Sequence, residues 1–564
     1  MLANTLWWIY AAIASQEWRQ ASKDISLAQR TVLKGILRAN ARTAFGRKYH
    51  FDRIESVADF QALAPIQSYE DCLPYIEQIA NGETAVLTHE AVDRFGISSG
   101  TSSASKLIPY TPSLVKEFQK GILPWAFHLF RTYPRLLATT SYWSVTPIGA
   151  QERLSPGGIP IGFDDDRAYL DHLTRWVMET SMPAPSELAR LDDMETFRYA
   201  TLRLLLQQED LGWVSVWNPT FLSLLLEPLT VLQAELLSDL SLGTVSLPGN
   251  VPEQIRRSIQ AKAKRMPGRA AELSKIFGRW KGLPPQSLDA NGDSLYQAIW
   301  PSMQLISCWA DGSAKEVIPL VQACFPKAAI QPKGLLATEG FVSFPVDGHG
   351  SALSGASHFF EFEEVDLPEQ PIRTAEQLKT GARYSVILTT SGGLYRYRLG
   401  DIVEVTGFTK TCPLLRFVCK QERVVDLRGE KLDEKFVQSC VQEVMADSRL
   451  DAAFWMVAPH HGDKPDASYV LFLQLGQNSS DSTSDLDSKL DAALRANFHY
   501  DYCRRLGQLD KCKVFFIDPS SNAANVYLST CAQLGQRLGN IKHVALHASE
   551  GWDTAFEGVF LSRL

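Results

Sequence analysis

From residue 300 onward the chain alternates. Short β-branched or apolar runs at 304–308, 328–330, 384–389, 402–408 and 415–420 are separated by glycine, proline and aspartate turns and by helical segments. That alternation points to a layered α/β architecture with a sheet assembled from distant pieces of chain. The earlier part is more helical: residues 1–90, then a strand at 93–97, a helix and a strand within 110–150, and a strongly helical pattern over 169–242 with leucine-rich faces at 202–206 and 222–236. Beyond residue 426 a helix at 433–445 and strand-like runs at 453–457 and 469–475 suggest a small α/β domain of its own. At 564 residues the chain exceeds what one core organises, so at least two domains are expected.

A net charge of -7, with scattered basic residues, offers no electrostatic reason for nucleic acid or an anionic membrane as partner. Nine cysteines without a CxxC pair point to reduced thiols and the cytoplasm. His460–His461 is expected in a polar loop, as a solvent-exposed pair without zinc-site spacing, so no zinc is expected. The apolar N-terminus, residues 1–14, lacks a basic leader and falls short of the ~20 residues that a membrane span needs. It is expected to be a buried first helix that runs on into 16–43 without a break.

Three stretches could carry chemistry. Ser98-Ser99-Gly100-Thr101-Ser102-Ser103-Ala104-Ser105-Lys106 follows a strand. Its glycine lets backbone amides face an anion, its hydroxyls donate to phosphate oxygens, and Lys106 adds a compact positive charge. It lacks the Walker spacing and, taken alone, reads more readily as a flexible surface loop. In Leu336-Ala337-Thr338-Glu339-Gly340 a carboxylate beside a hydroxyl could hold Mg²⁺ against phosphate, or simply face solvent. The string from Gly392 to Asp401 is the most specific. Strand alternation predicts Tyr395, Tyr397 and Leu399 on one face and Arg396 and Arg398 on the other. Gly400 would let the chain turn and leave Asp401 to accept from both ribose hydroxyls.

In this order the three stretches resemble the acyl acid–amido synthetases, the auxin-responsive Gretchen Hagen family within the adenylate-forming superfamily, and most closely its bacterial-type members. Residues 156–160, 217–221 and 300–313 extend the resemblance over essentially the whole chain. It implies an α/β fold with a large N-terminal adenylation domain (1–422), a hinge (423–430) and a small mobile C-terminal domain (431–564). It further implies ATP and Mg²⁺, with Ser98 to Ser103 and Lys106 around the β- and γ-phosphates, Thr338 at the α-phosphate and Glu339 as metal ligand. Asp401 would bind ribose, Tyr397 would lie near adenine, and Gly312–Ser313 along the nucleotide and acyl carbonyl. Arg423 and Lys431 are the implied hinge contacts, and Lys542 the C-terminal lysine presented to the α-phosphate. The chain departs from plant members in Ser103–Ala104, which stiffens the phosphate loop, and in Ala-Thr-Glu-Gly where plants carry Ser-Ser-Glu. Plant substrates therefore do not carry over.

The expected reaction joins a carboxylic acid to AMP and then to an amine, with an amino acid as the expected amine. Transfer to CoA, or a nucleotide-binding relative without catalysis, are the alternatives. Ile159, Ile161 and Phe163, with Asn218 in the 217–221 segment, are candidates for an acid pocket suited to an aromatic or fatty acid, or else core beneath it.

Overall fold

The structure is a computed structural model. It describes all residues except 1, 99–105, 145–152, 163–171, 183–184, 192, 250, 347, 368–369, 421–423, 426, 429, 431, 462–466, 477–484, 535, 537–540 and 562–564. The chain divides into two compact units, residues 1–99 with 105–418, and residues 419–564.

In the first unit the N-terminal segment is two helices, α1 (Leu2–Ala21) and α2 (Ile25–Asn40), rather than one. Asp24 stops the run: its side chain accepts from the Leu27 N–H at 2.9 Å and caps α2. Nor is α1 buried all round. Trp7, Ala11 and Trp18 face the core while Leu2, Leu6, Ile9 and Ile13 are exposed. Strands β1 (Arg94–Ser98) and β2 (Lys106–Tyr110) pair antiparallel, and α3 (Pro112–Thr132), capped by Thr111, follows directly. After β3 (Thr140–Trp143), strands β4 (Arg153–Leu154) and β5 (Pro160–Ile161) complete the first sheet in the order β2-β1-β5-β4.

The leucine-rich tract is not continuous helix. Between α4 (Met194–Leu206) and α5 (Pro219–Leu226) lies β6 (Leu211–Ser215), with all five residues buried. A short apolar run buried on both faces has no period of its own to separate it from helix. β6 is central to a parallel sheet, β3-β6-β7-β8, completed by β7 (Leu305–Cys308) and β8 (Ala329–Pro332). Parallel strands need both faces covered, which explains the apolar composition of 202–240.

A small hairpin, β9 (Leu336–Ala337) and β10 (Gly340–Phe341), leads into a seven-stranded sheet. That sheet comprises β11 (Ser343–Val346), β12 (Gly350–Leu353), β13 (Phe359–Glu364), β14 (Arg373–Thr374), β15 (Arg383–Thr389), β16 (Tyr397–Thr409) and β17 (Cys412–Lys420). Their spatial order is β11-β12-β17-β16-β15-β13-β14.

The second unit has its own core, including Val441, Leu471, Leu490 and Val514. It starts with β18 (Val424–Val425), β19 (Leu432–Asp433) and α6 (Glu434–Asp447). Strand β20 (Ala452–His461) pairs antiparallel with β21 (Ala467–Leu475), which continues through α7 (Leu486–Leu494) and α8 (Phe498–Arg505) to the parallel β22 (Lys513–Ile517). The edge strand is β23 (Gly558–Phe560). His460 is thus a strand residue, 3.7 Å from Asp553, and not part of a loop. Among the described residues no single helix is long and apolar enough to cross a membrane.

Candidate active site

Ser98 pairs with Lys106 in the antiparallel ladder of β1 and β2, so the two ends of the Ser/Gly run lie side by side. Ser99, Gly100, Thr101, Ser102, Ser103 and the Ser98 side chain lie outside the described residues. At the ladder's described end, the Lys106 ammonium stands 5.3 Å from the centre of the Tyr69 ring. The Tyr69 hydroxyl accepts the Leu107 N–H at 2.8 Å, and burial pushes that phenol above its ordinary range. Two residues earlier, Gln67 joins the start of β16: its N–H donates to the Arg396 carbonyl at 3.0 Å, and its carbonyl accepts from the Arg398 N–H at 2.9 Å. Segment 67–69 therefore ties the first motif to the third.

Thr338 and Glu339 form the two-residue turn of the β9–β10 hairpin, where Ala337 pairs with Gly340. The Tyr110 hydroxyl, at the end of β2, donates to the Thr338 carbonyl. Glu339 is 6% exposed. One carboxylate next to a hydroxyl fits Mg²⁺, which is held by one or two carboxylates together with substrate phosphates rather than by a protein cage.

The third motif departs from simple alternation. Residues 391–396 form a turn and a bend, and the strand starts only at Tyr397. Tyr395 and Arg396 are both buried, and Arg396 takes φ 48°, in the left-handed region. Its guanidinium is held by Glu361 through two contacts of 3.0 Å and by the carbonyls of Gln61 and Ala64, so Arg396 is part of the scaffold. Gly392 packs so tightly that a methyl group there would lie 2.6 Å from Leu114 and 3.0 Å from the Pro109 carbonyl. Further on, three residues of β16 (Leu399 to Asp401) oppose the single Val386 of β15. Gly400, at φ 75°, makes this bulge, and it re-aims Asp401, which is 2% exposed. Tyr397 is equally buried.

The C-terminal ends of β3, β6, β7 and β8 share one edge, where open parallel sheets bind their ligands. The Lys333 ammonium lies there, 2.8 Å from the Ser215 hydroxyl, 4.7 Å from the Trp217 ring centre and 5.2 Å from that of Trp125. Trp309, after β7, donates its N–H to the Trp217 carbonyl at 2.9 Å. A cavity of about 60 Å³ opens here, walled by Trp125, Trp143, Trp217, Lys333, Leu336 and Phe341 among others. Asp311 precedes the short helix that starts at Gly312–Ser313, whose side chains are outside the described residues. Burial holds the Asp311 carboxyl above its usual range, against the opposing charges of Arg416 and Lys315.

Trp217 lines this cavity, whereas Ile159, Ile161 and Asn218 do not. Asn218 instead caps α5, accepting the Thr220 N–H at 2.9 Å, and Ile161 pairs with Phe95 of β1. Ile159 bonds through its N–H to the Ser155 hydroxyl. Phe163, Arg423 and Lys431 fall outside the described residues. Lys542 belongs to the second unit, where its carbonyl accepts from the Tyr527 hydroxyl at 2.9 Å.

The sequence reading missed Tyr69 and Lys333. For Tyr69 a signal was available: Ser68-x-x-Asp71 forms a capping box that fixes a helix start, so a conformationally defined turn precedes it. For Lys333 there was none, because its aromatic neighbours come from a helix and from the end of a strand far away in sequence.

Residues 14–330 match the GH3 family N-terminal domain, and residues 351–420 match the GH3 family central domain. A jasmonoyl–L-amino acid synthetase, JAR4 of Nicotiana attenuata, is 24% identical over 83% of this chain and 82% of its own length. The indole-3-acetic acid-amido synthetase GH3.10 of Arabidopsis thaliana is also 24% identical, over 92% of this chain and 93% of its own. Among solved structures, the AtGH3.15 acyl acid amido synthetase in complex with 2,4-DB superposes with a TM-score of 0.78 at 18% identity, covering 97% of this chain and 95% of that one. With more than half its length inside the family's N-terminal domain, this chain is a member of the GH3 family.

Proposed function

We propose that the chain is a ligase that uses ATP to convert a carboxylic acid into its adenylate and then transfers the acyl group to an amine, forming an amide. The observation that carries this reading is the β9–β10 hairpin. Leu336 and Phe341, two walls of the aromatic cavity, flank Thr338 and Glu339, and Tyr110 binds that turn to the strand leaving the phosphate loop. An acid in the cavity and a nucleotide over the turn would be neighbours.

In this reading Ser98 to Ser103 and Lys106 hold the β- and γ-phosphates, Thr338 the α-phosphate, Asp401 the ribose and Tyr397 the adenine side. Gly312 and Ser313 lie along the acyl carbonyl. Glu339 would hold Mg²⁺, which would supply positive charge toward the departing pyrophosphate. The acid's apolar body enters among Trp125, Trp143 and Trp217, and Lys333 offers an ammonium to its carboxylate. An amino acid as amine is supported by the names of the relatives. Arg423, Lys431 and Lys542, from the hinge and the small domain, serve the α-phosphate and the change between half-reactions. Each charge contact made in the transition state is worth on the order of 3 kcal/mol. No side-chain nucleophile is needed, since the mixed anhydride already carries a good leaving group. Nine free cysteines support a cytoplasmic setting.

An acid-by-amine screen read by mass spectrometry tests the whole reading. Amide product with at least one amino acid, dependent on ATP, is expected. Thioester on adding CoA, with no amide from any amine, would overturn the second half-reaction.

A further inference from the structure

Glu117, on α3, and His358, just before β13, form a buried pair that no proposed contact with nucleotide, acid or amine uses. His358 is fully buried and Glu117 is 7% exposed. The Phe341 N–H donates to His358 Nε2 at 2.9 Å. An accepting Nε2 carries no proton, so the ring proton sits on Nδ1, which lies 2.9 Å from Glu117 Oε2 and donates to it. The same carboxylate accepts the Ser391 N–H, at 3.2 and 3.1 Å from its two oxygens, and the Ser391 hydroxyl at 2.6 Å. A buried carboxylate is costly unless donors surround it, and here three do.

The two ends of this chain of bonds matter. Phe341 closes the hairpin that presents Thr338 and Glu339. Ser391 immediately precedes Gly392–Gly393, the turn that leads to Tyr397 and Asp401. Between them stands the helix that follows β2, and its Gly121 lies against the Phe341 ring. We propose that Glu117 and His358 act as a positioning relay, setting the Glu339 turn and the Tyr397–Asp401 strand at the separation that a single nucleotide requires. This rests on the adenylating reading of the site. Apolar packing in the same place could supply comparable stability, but only directional bonds fix the turn and the loop relative to each other.

The relay is tested in the full-length enzyme by MgATP binding in equilibrium dialysis, by the ATP KM in acid-dependent pyrophosphate exchange, and by thermal melting. His358→Phe keeps a ring and removes both bonds. Glu117→Gln keeps the shape but turns an amide N–H₂ toward one of its three donors. Each is expected to weaken ATP binding and raise the ATP KM about tenfold. The double variant is expected to do little worse than either single one, because the two residues act as a unit. Ser391→Ala, at the more exposed end, keeps the test open if a core variant does not fold, with an expected rise of about threefold. A purely structural pair would lower the melting temperature and leave the ATP KM of folded enzyme unchanged. Values within twofold of wild type in folded variants would overturn the relay alone, while wild-type protein that bound no MgATP would bring down the adenylating reading as well.

Discussion

Arg396 and Glu339 both sit in motifs that point to nucleotide, and both are buried, in different places. Arg396 is enclosed by Glu361 and two backbone carbonyls, whereas Glu339 occupies the hairpin turn whose flanking Leu336 and Phe341 wall the aromatic cavity. Removing one partner of a buried pair leaves an unpaired charge, at a cost of about 3–5 kcal/mol. Arg396→Ala is therefore expected to lower the unfolding free energy measured in denaturant by that amount; a variant as stable as wild type would show that the pair is dispensable. The motif made the residue types visible but not their roles. Alternation places side chains only where the backbone is extended, and the bend at Arg396 is made by contacts with residues 61, 64 and 361, which no local pattern contains. At Gly400 the glycine signalled an irregularity, but the chain bulges within β16 rather than turning there.

At the scale of elements, strands with turn residues at both ends were readable, as at 304–308 and 384–389, while β6 was hidden in a leucine-rich tract. The cavity was hidden as well, being assembled from α3, the ends of β3, β6 and β8, the β9–β10 hairpin and the start of β11. One contact in it makes a sharp expectation. Gly121 faces Phe341 so closely that an added methyl would fall 2.2 Å from the ring. Glycine within a helix ordinarily costs up to about 1 kcal/mol relative to alanine. Here the clash opposes that gain, and overpacking costs about 1–3 kcal/mol. Gly121→Ala is expected to push the Phe341 ring into the cavity and raise the KM for the acid severalfold, with the ATP KM less affected. An unchanged acid KM would remove Phe341 from the pocket wall.

Over the whole molecule, the sequence reading anticipated a large and a small α/β unit because the helix-and-strand pattern restarts near residue 430. The second unit carries its own acid-sensitive anchor. Burial pushes the Asp491 carboxyl up, but bonds from the Cys512 N–H at 3.0 Å, Arg504 at 3.0 Å and Tyr500 at 2.8 Å outweigh it and hold the group below its ordinary range. A depressed folded-state pKa stabilises above the unfolded value of about 3.9, and that stability is lost as pH falls through the folded value. Asp491→Asn is thus expected to destabilise the second unit at pH 7 by about 3 kcal/mol. The difference from wild type should shrink below about pH 4. Hydrogen exchange resolved to residues 419–564 measures it without assuming that both units unfold together, and a pH-independent difference would exclude titration of Asp491 as the cause.

The account stands on a bound acid meeting ATP at the Thr338–Glu339 turn, and exchange of labelled pyrophosphate into ATP reads that meeting directly. Exchange is expected only when a suitable acid and Mg²⁺ are both present, and Glu339→Ala is expected to reduce it at least about 100-fold while leaving the circular dichroism spectrum and melting temperature unchanged. Folded wild-type protein that gave no exchange with a broad panel of acids, or Glu339→Ala that exchanged at the wild-type rate, would contradict it.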